Sequence, residues 1–384
     1  MKKNGVWGKI DLTSTEFVEK KENPKMSKRI IALALAAALT LSSAAALSAC
    51  KKDDETPSDI TEATAAENLQ TEAPAPAGVT DPLTGLTGYD EKYVGQKLVA
   101  VVVENSPSAR PQWGMSTPDI LMEYEVEGGI SRMLWLYSNI DKLPDTIGPV
   151  RSARHDIVEL ALGLDALFVH CGGSTFAYDK IKSYSGTLSE VDGMQSQSFF
   201  VRDRSRNTAS EHRLTLKSGG LRDWISSSGI NMTVNEAYKK PFSFASSAVT
   251  PSGGDCLSAQ ISYSPSYNYE FKYDAAAAKY NCFINGSERK DDAGIQCAYT
   301  NVVVLYTDMA AMGTSSGHQD LKLENGGTGF FASNGKYEEI KWTKGGDRDM
   351  LKLTKADGSE LSLSPGNSYI GFVRSTRSSS TVIG

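Results

Sequence analysis

The segment from Gly148 to Arg154 (GPVRSAR) carries the residue types best suited to holding an anion. Arg151 and Arg154 are three residues apart at the predicted start of a helix, so their side chains lie on similar faces. Arginine opposes the helix dipole at this end, where negative charge is favoured. Free backbone N–H groups and two guanidinium groups would suit a phosphate, pyrophosphate or carboxylate. The alternative is an internal ion network in which the arginines pair with Glu123, Glu125 and Glu127.

These three glutamates alternate along a predicted strand from Ile120 to Glu127 and would project from one face, about 6–7 Å apart. Like charges in a row repel one another unless cations neutralise them. Arg132, just past the Gly128-Gly129 turn, is the nearest candidate cation. The plainest interpretation is a solvated strand face. A hard cation could also bind carboxylates there, but the sequence predicts no metal site.

A second arginine-rich segment, Val201–Arg206 (VRDRSR), is followed closely by His212. Arg202, Arg206 and His212 could complete an anion pocket with the first pair of arginines, and Asp203 could orient an arginine. A charge-balanced surface loop is the alternative interpretation.

The sequence carries no nucleophile motif: it has no G-x-S-x-G, no H-E-x-x-H and no P-loop. His170 ends an apolar strand before Gly172-Gly173, a position more typical of a packed or pocket-wall residue than of a catalyst. Whether the protein is an enzyme therefore stays open. No cofactor is predicted, and Mg²⁺ would enter only if the protein were an enzyme.

The elements that would position these residues follow from hydrophobic periodicity. Strands are predicted at Lys97–Glu104, Ile120–Glu127, Arg132–Ile140 and Ala166–His170, and helices within Pro149–Leu164 and at Phe176–Tyr184 and Leu214–Ser228. In the later half, Asn-Gly, Asp-Gly and Gly-Gly turns separate short strands. The predicted fold class is α+β, with an N-terminal mixed α/β sandwich domain followed by a mostly antiparallel β domain.

The N-terminal region has the three-part plan of a bacterial secretory signal. Met26–Arg29 is basic, Ile30–Ala46 is apolar, and Leu47–Cys50 matches a lipobox whose cysteine is lipidated. A single spanning helix is the alternative, but spanning needs about 20 strongly apolar residues. The predicted organisation is an upstream extension (1–25), a signal peptide (26–49), a disordered linker (50–80), an N-terminal domain (81–240) and a C-terminal domain (241–384). The protein is predicted to be extracytoplasmic and anchored to the membrane through Cys50.

The net charge and the cysteine spacing limit what the protein is expected to bind. The net charge is −6 with no basic block, which argues against nucleic-acid binding. The cysteines after Cys50 lack the C-x-x-C spacing of zinc sites. An exported location would permit a disulfide. Cys282–Cys297 is the first pair to test, and unpaired buried thiols are the alternative.

The order of motifs resembles the YerB-like family of bacterial lipoproteins, from Asp81 to about Val373. The matching stretches are Asp81–Gly85, Val103–Asn105, Ala109–Gln112, Pro118–Ile120, Glu123, Glu127–Arg132, Gly148–Arg154, His170, Gly172-Gly173, Asn301–Val304 and Leu363–Gly366. The resemblance implies a lipoprotein with a two-part body and supplies no activity. The family's Pro-His-Asn-Leu-Tyr stretch reads Glu211-His212-Arg213-Leu214-Thr215 here, so a ligand pocket there would differ.

The order of strand, arginine-rich turn and helix is also loosely similar to the LytR-CpsA-Psr phosphotransferases, whose arginines hold a polyprenyl pyrophosphate. Three hypotheses follow: a binder of an anionic envelope ligand, an envelope phosphotransferase or phosphodiesterase, and a scaffold for membrane proteins. The predicted ligand-binding residues are Arg110, Glu123, Glu127, Arg132, Arg151, Arg154, His170, Arg202, Asp203, Arg206 and His212.

Overall fold

The computed structural model describes residues 78–195 and 197–384. The predicted upstream extension, the signal peptide, the lipidated Cys50 and the linker up to residue 77 lie outside these residues. None of the helices in the described ranges is long and apolar enough to cross a membrane.

The α-helices are α1 (His155–Leu162), α2 (Thr175–Ser183) and α3 (Ser218–Ser228). The strands before residue 250 are β1 (Val99–Glu104), β2 (Ile120–Glu125), β3 (Ser131–Tyr137), β4 (Thr146–Ile147), β5 (Leu167–His170), β6 (Ser189–Asp192), β7 (Phe200–Arg202), β8 (Leu214–Lys217) and β9 (Ser243–Phe244).

The later strands are β10 (Ser258–Ser264), β11 (Tyr267–Asp274), β12 (Lys279–Ile284), β13 (Ser287–Glu288), β14 (Ala298–Tyr299), β15 (Asn301–Thr307), β16 (Met309–Ala311), β17 (Gln319–Leu321), β18 (Gly327–Ser333), β19 (Lys336–Thr343), β20 (Lys352–Lys355), β21 (Ser362–Leu363), β22 (Ser368–Arg374) and β23 (Val382–Ile383). Short 3₁₀ helices lie at Glu91–Tyr93, Pro107–Ala109, Glu127–Gly129, Ile140–Lys142, Gly193–Gln195, Ser210–Arg213, Glu236–Tyr238, Leu323–Asn325 and Ser375–Ser380.

One mixed sheet of ten strands runs through the protein in the order β20-β19-β18-β15-β22-β2-β3-β1-β5-β6. Strands β15, β22, β2, β1, β5 and β6 all point the same way, and β3 runs against its neighbours. An antiparallel sheet, β13-β12-β11-β10-β23 with β14 on β12, packs beside it. The predicted α+β class, with an antiparallel-rich C-terminal part, is confirmed.

Strands from both sides of residue 240 share the large sheet, because β22 lies between β15 and β2. The described residues, 78–195 and 197–384, belong to one compact unit. The large sheet is therefore continuous across residue 240, and the domain boundary predicted there stays a prediction.

The core lies on both faces of the large sheet. Val99, Val101 and Val103 belong to one buried hydrophobic cluster, and Ala100 and Val102 belong to another that includes α1, because successive side chains alternate along a strand. All five are fully buried. Burying a Val, Leu or Ile side chain contributes about 1.5–3 kcal/mol, so this double-sided packing fixes the position of β1 and of the residues at its end.

One predicted element needs correction. Leu214–Lys217 is strand β8 and not the first turn of a helix, because it pairs with β4 and β7 and buries Leu214 and Leu216. The helix begins only at Ser218.

The four described cysteines are free thiols, including the predicted pair Cys282 and Cys297. Cys282 lies on β12 and Cys297 lies just before β14, and the Cys282 N–H donates to the Cys297 carbonyl over 2.9 Å. Burial raises the pKa of Cys297 to about 12, which suppresses its thiolate form.

Candidate functional site

The segment 148–154 is held at the carboxyl ends of the parallel strands. The Arg151 N–H donates to the Val102 carbonyl over 3.0 Å, and the Cys171 N–H donates to the Arg151 carbonyl over 3.1 Å. The segment thus lies between the ends of β1 and β5. Gly148 permits this entry, since its φ is +154° and a Cβ there would lie 2.8 Å from the Leu214 carbonyl oxygen. In open α/β sheets, ligands bind outside this carboxyl edge.

The local structure corrects one prediction. Helix α1 begins at His155 with Arg154 as its N-cap residue, and no side chain caps it. Arg151 therefore stands before the helix in an extended segment, and the two arginines are not on one helical face. Both still reach the same edge of the sheet, because the segment crosses it.

Arg132 lies at the same edge, near the start of β3 and opposite Glu104 of β1 and Tyr124 of β2. Its side chain is only 3% exposed. The guanidinium Nη1 donates to the Ser152 carbonyl over 3.0 Å, whereas Nε has no hydrogen-bond partner among the described residues. Burial, together with the charges of Arg154 and Arg151, lowers the pKa of Arg132 to about 10. A buried cation without a carboxylate in contact is costly.

Arg154 is paired internally. Its guanidinium forms a two-point ion pair with Glu127, with Nε 3.1 Å from Oε2, and it also donates to the Ala153 carbonyl over 2.9 Å. Burial raises the pKa of Glu127, but the Arg154 hydrogen bond and charge outweigh it and lower the pKa overall. The pair of Arg154 and Glu127 is one of the internal ion pairs that the sequence analysis gave as the alternative to an anion site.

Glu104 joins Arg151 to His212. It ends β1, is 1% exposed, and lies with Oε1 2.7 Å from Ser106 Oγ and 2.9 Å from His212 Nδ1. Its Oε2 is 3.5 Å from Arg151 Nε. Sequence reasoning missed Glu104, because it closes an apolar strand; its position at a strand's carboxyl end was the available signal. Arg132, Arg151, Arg154, Glu104 and Glu127 are called the arginine cluster below.

The other glutamates of β2 are not on a solvated face. Glu123 is fully buried between the two sheets, where Oε1 accepts from Asn105 Nδ2 over 2.7 Å and from the Tyr269 hydroxyl over 2.8 Å. Its Oε2 accepts from the Tyr369 hydroxyl over 3.0 Å. Glu127 lies beyond the end of the strand in a 3₁₀ turn, so the predicted row of three carboxylates does not form.

Four further predicted residues lie apart from the arginine cluster. Arg110 donates to the Asn105 carbonyl over 2.8 Å and stacks on Tyr267, and Arg206 stacks on Trp113 at 3.3 Å from the ring centroid. Asp203 accepts from the Ser205 N–H over 2.7 Å. Arg202 is exposed on β7.

His170 occupies a packed position. It is fully buried, with Nδ1 2.8 Å from the Gly172 carbonyl and Nε2 2.8 Å from Glu190 Oε1. Both ring nitrogens are therefore engaged. The side chain is therefore packed inside the protein, and its predicted role in ligand binding stays a prediction.

A cavity of about 770 Å³ lies elsewhere in the described part of the chain. It is lined by Leu98 just before β1 and by Tyr89, Tyr93, Phe242 and Phe244. This is the amino end of β1, opposite the arginine cluster. A concave site and the charged site are thus separate features of the protein.

Comparison with known proteins gives the family. Residues 83–231 match "Protein of unknown function (DUF3048) N-terminal domain", and residues 259–370 match "Protein of unknown function (DUF3048) C-terminal domain". The chain belongs to the DUF3048 family. A relative, "Putative lipoprotein YerB" of Bacillus subtilis (strain 168), is 29% identical over 301 residues, covering 76% of this chain and 85% of the relative.

A solved structure shares the architecture of this chain. The crystal structure of YerB protein from Bacillus subtilis matches with a TM-score of 0.68 and 28% identity, covering 80% of this chain and 99% of that chain. The resemblance seen in the sequence is therefore confirmed. The DUF3048 family name describes no activity, so function has to be argued from the site.

Proposed function

We propose that this chain is a lipid-anchored extracytoplasmic protein that binds a phosphate-bearing ligand of the cell envelope at the arginine cluster. The lipobox ending at Cys50 and the name of the Bacillus relative, "Putative lipoprotein YerB", support the anchor. The single observation that supports the ligand is Arg132, a buried guanidinium that lacks a carboxylate within 4 Å in the described ranges.

The charge balance of the cluster favours an anion. Three arginines face two glutamates, which leaves one positive charge over. Arg151 is 27% exposed and Arg154 is 12% exposed, so part of the cluster is open to solvent. Arginine forks match phosphate oxygens in two-point geometry, and no side chain caps the start of α1.

The test is thermal melting of the full chain in detergent with phosphate, pyrophosphate or an undecaprenyl-phosphate analogue. A ligand at about a hundred times its dissociation constant adds about 2.7 kcal/mol. We expect this stabilisation to be lost in Arg132→Met and Arg151→Met and kept in Arg206→Met, whose guanidinium stacks on Trp113. Phosphate also stabilises proteins non-specifically, so equal shifts in all four proteins would contradict the proposal.

A further inference from the structure

A second polar cluster lies at the start of α1, on elements far apart in the sequence. His155 Nε2 is 3.2 Å from Asp156 Oδ1 and 3.3 Å from Asp320 Oδ1. The three ligand-type atoms all lie within 4.8 Å of one another. Asp320 belongs to β17, so the C-terminal half brings its carboxylate to the N-terminal half.

We propose that His155, Asp156 and Asp320 form a binding site for one divalent transition-metal ion of the zinc type. Imidazole nitrogen and carboxylate oxygen bind zinc at about 2.0–2.2 Å in tetrahedral geometry. Such bonds place neighbouring ligand atoms about 3.3–3.5 Å apart, close to the two distances measured. Three protein ligands leave a fourth position for water or a substrate atom.

Hydrogen bonding alone does not account for the cluster. His155 Nε2 carries one proton at most, so it cannot donate well to two carboxylates at once. An ion between the three atoms would contact all of them. The arrangement therefore suits a cation better than it suits a single N–H group.

Two buried oxygen atoms, one of them on Asp156 itself, lack hydrogen-bond partners in the part of the chain that the structure describes. Asp156 is 1% exposed, yet its Oδ2 has no hydrogen-bond partner among the described residues. The same holds within those ranges for the hydroxyl of Tyr124, which is also 1% exposed. Burial, and after it the charge of Asp156, raises the pKa of that hydroxyl well above its ordinary value. Buried polar atoms are rarely left unpaired.

Neighbouring groups fix the orientation of the Asp156 and Asp320 carboxylates, as the second layer of residues around a metal site does. Asp156 Oδ1 accepts from the Leu321 N–H over 3.0 Å, and Lys322 pairs with Asp320 Oδ2. Each carboxylate thus keeps Oδ1 directed at the histidine while its orientation is fixed. Outer-shell contacts of this kind position metal ligands.

The experiment measures metal binding by the full chain in detergent, without a polyhistidine tag, after EDTA treatment and removal of the chelator. Zn²⁺, Mn²⁺, Mg²⁺ and Ca²⁺ are added separately, bound metal is counted by mass spectrometry, and affinity is measured by competition with a chromophoric chelator. We expect one Zn²⁺ per chain. His155→Gln and Asp320→Asn should each weaken binding by at least about tenfold.

His318→Gln is the matched control, since His318 and His155 both pack against the ring of Phe176. It should bind zinc as the wild type does. His155 and Asp320 are only partly buried, and melting of the metal-free variants verifies their fold. Zinc bound equally by the wild type, His155→Gln and Asp320→Asn, or no zinc retained by the wild type, would overturn the proposal.

Discussion

Replacing Arg132 with methionine separates a binding role from a structural role for the arginine cluster. Burial, followed by the charge of Arg154, lowers the pKa of Arg132 from its ordinary value to about 10. Each pKa unit corresponds to about 1.4 kcal/mol, so the folded state bears a cost of about 3 kcal/mol for holding this charge. The hydrogen bond to the Ser152 carbonyl returns about 1.5–3 kcal/mol. Methionine keeps most of the length and removes the buried charge.

We therefore expect Arg132→Met to leave the free energy of unfolding unchanged or to raise it by up to about 2 kcal/mol, in line with other replacements of buried ions. The measurement is urea unfolding at pH 7 and low salt without phosphate, comparing unfolding midpoints at equal slopes. The same variant should lose the phosphate response. A residue that lowers the stability of the free protein but raises its affinity for a ligand is typical of a binding site.

Arg154→Met is the matched comparison. Its loss leaves Glu127 partly buried without its partner, so we expect destabilisation of about 1–3 kcal/mol. If Arg132→Met destabilises the protein by as much as Arg154→Met, the buried guanidinium supports the fold, and the reasoning from its lowered pKa is refuted.

Three further predictions address the rest of the molecule. Glu123→Ala should destabilise the protein by at least about 3 kcal/mol in urea unfolding, because it leaves the hydroxyls of Tyr269 and Tyr369 buried without their acceptor; an effect below about 1 kcal/mol would contradict this. Burial lowers the pKa of Lys142, but the ion pairs with Asp119 and Asp81 outweigh burial and raise this pKa overall. These ion pairs therefore stabilise the fold at pH values below the ordinary lysine pKa of about 10.5, and the stabilisation is lost as pH rises through the higher pKa that Lys142 has in the folded protein. The stability gap between the wild type and Lys142→Met should thus narrow only in alkali, and a gap that closes near pH 7 would refute the assignment. Of the four described cysteines, maleimide should label Cys171 first in the native protein, as read by peptide mass spectrometry, because the other three are buried; equal labelling of Cys256 would show that the C-terminal half opens.

Local patterns predicted the elements well where one physical signal dominated. The apolar run of β1, the alternation in β2 and the Gly-Gly turn before β3 each appear within a few residues of the predicted bounds. The pattern failed at Leu214–Lys217, where spacing compatible with a helix belongs to a strand whose partners are distant in sequence. Pairing energy from β4 and β7 overrides local preference there.

The site was only partly predictable for a similar reason. Arg132, Arg151 and Arg154 could be grouped because they lie within one stretch of chain that a sheet edge would gather. Glu104 was hidden by the apolar strand that precedes it, and Glu123 was read as solvated because the antiparallel sheet that covers it lies more than a hundred residues later. The sequence around an acidic residue does not show that a segment distant in the chain will bury it.

The position of β22 explains why the two halves of the chain act on one edge. Because β22 pairs with both β15 and β2, it carries the C-terminal half to the carboxyl ends of the strands that hold the arginine cluster. From there β17 presents Leu321 to Asp156, and Arg374 at the end of β22 pairs with Glu125. The C-terminal half is therefore part of this edge and not only a support for it. A ligand or ion bound at the start of α1 would accordingly lie close to residues of both halves. Each half alone would supply only part of this edge of the large sheet.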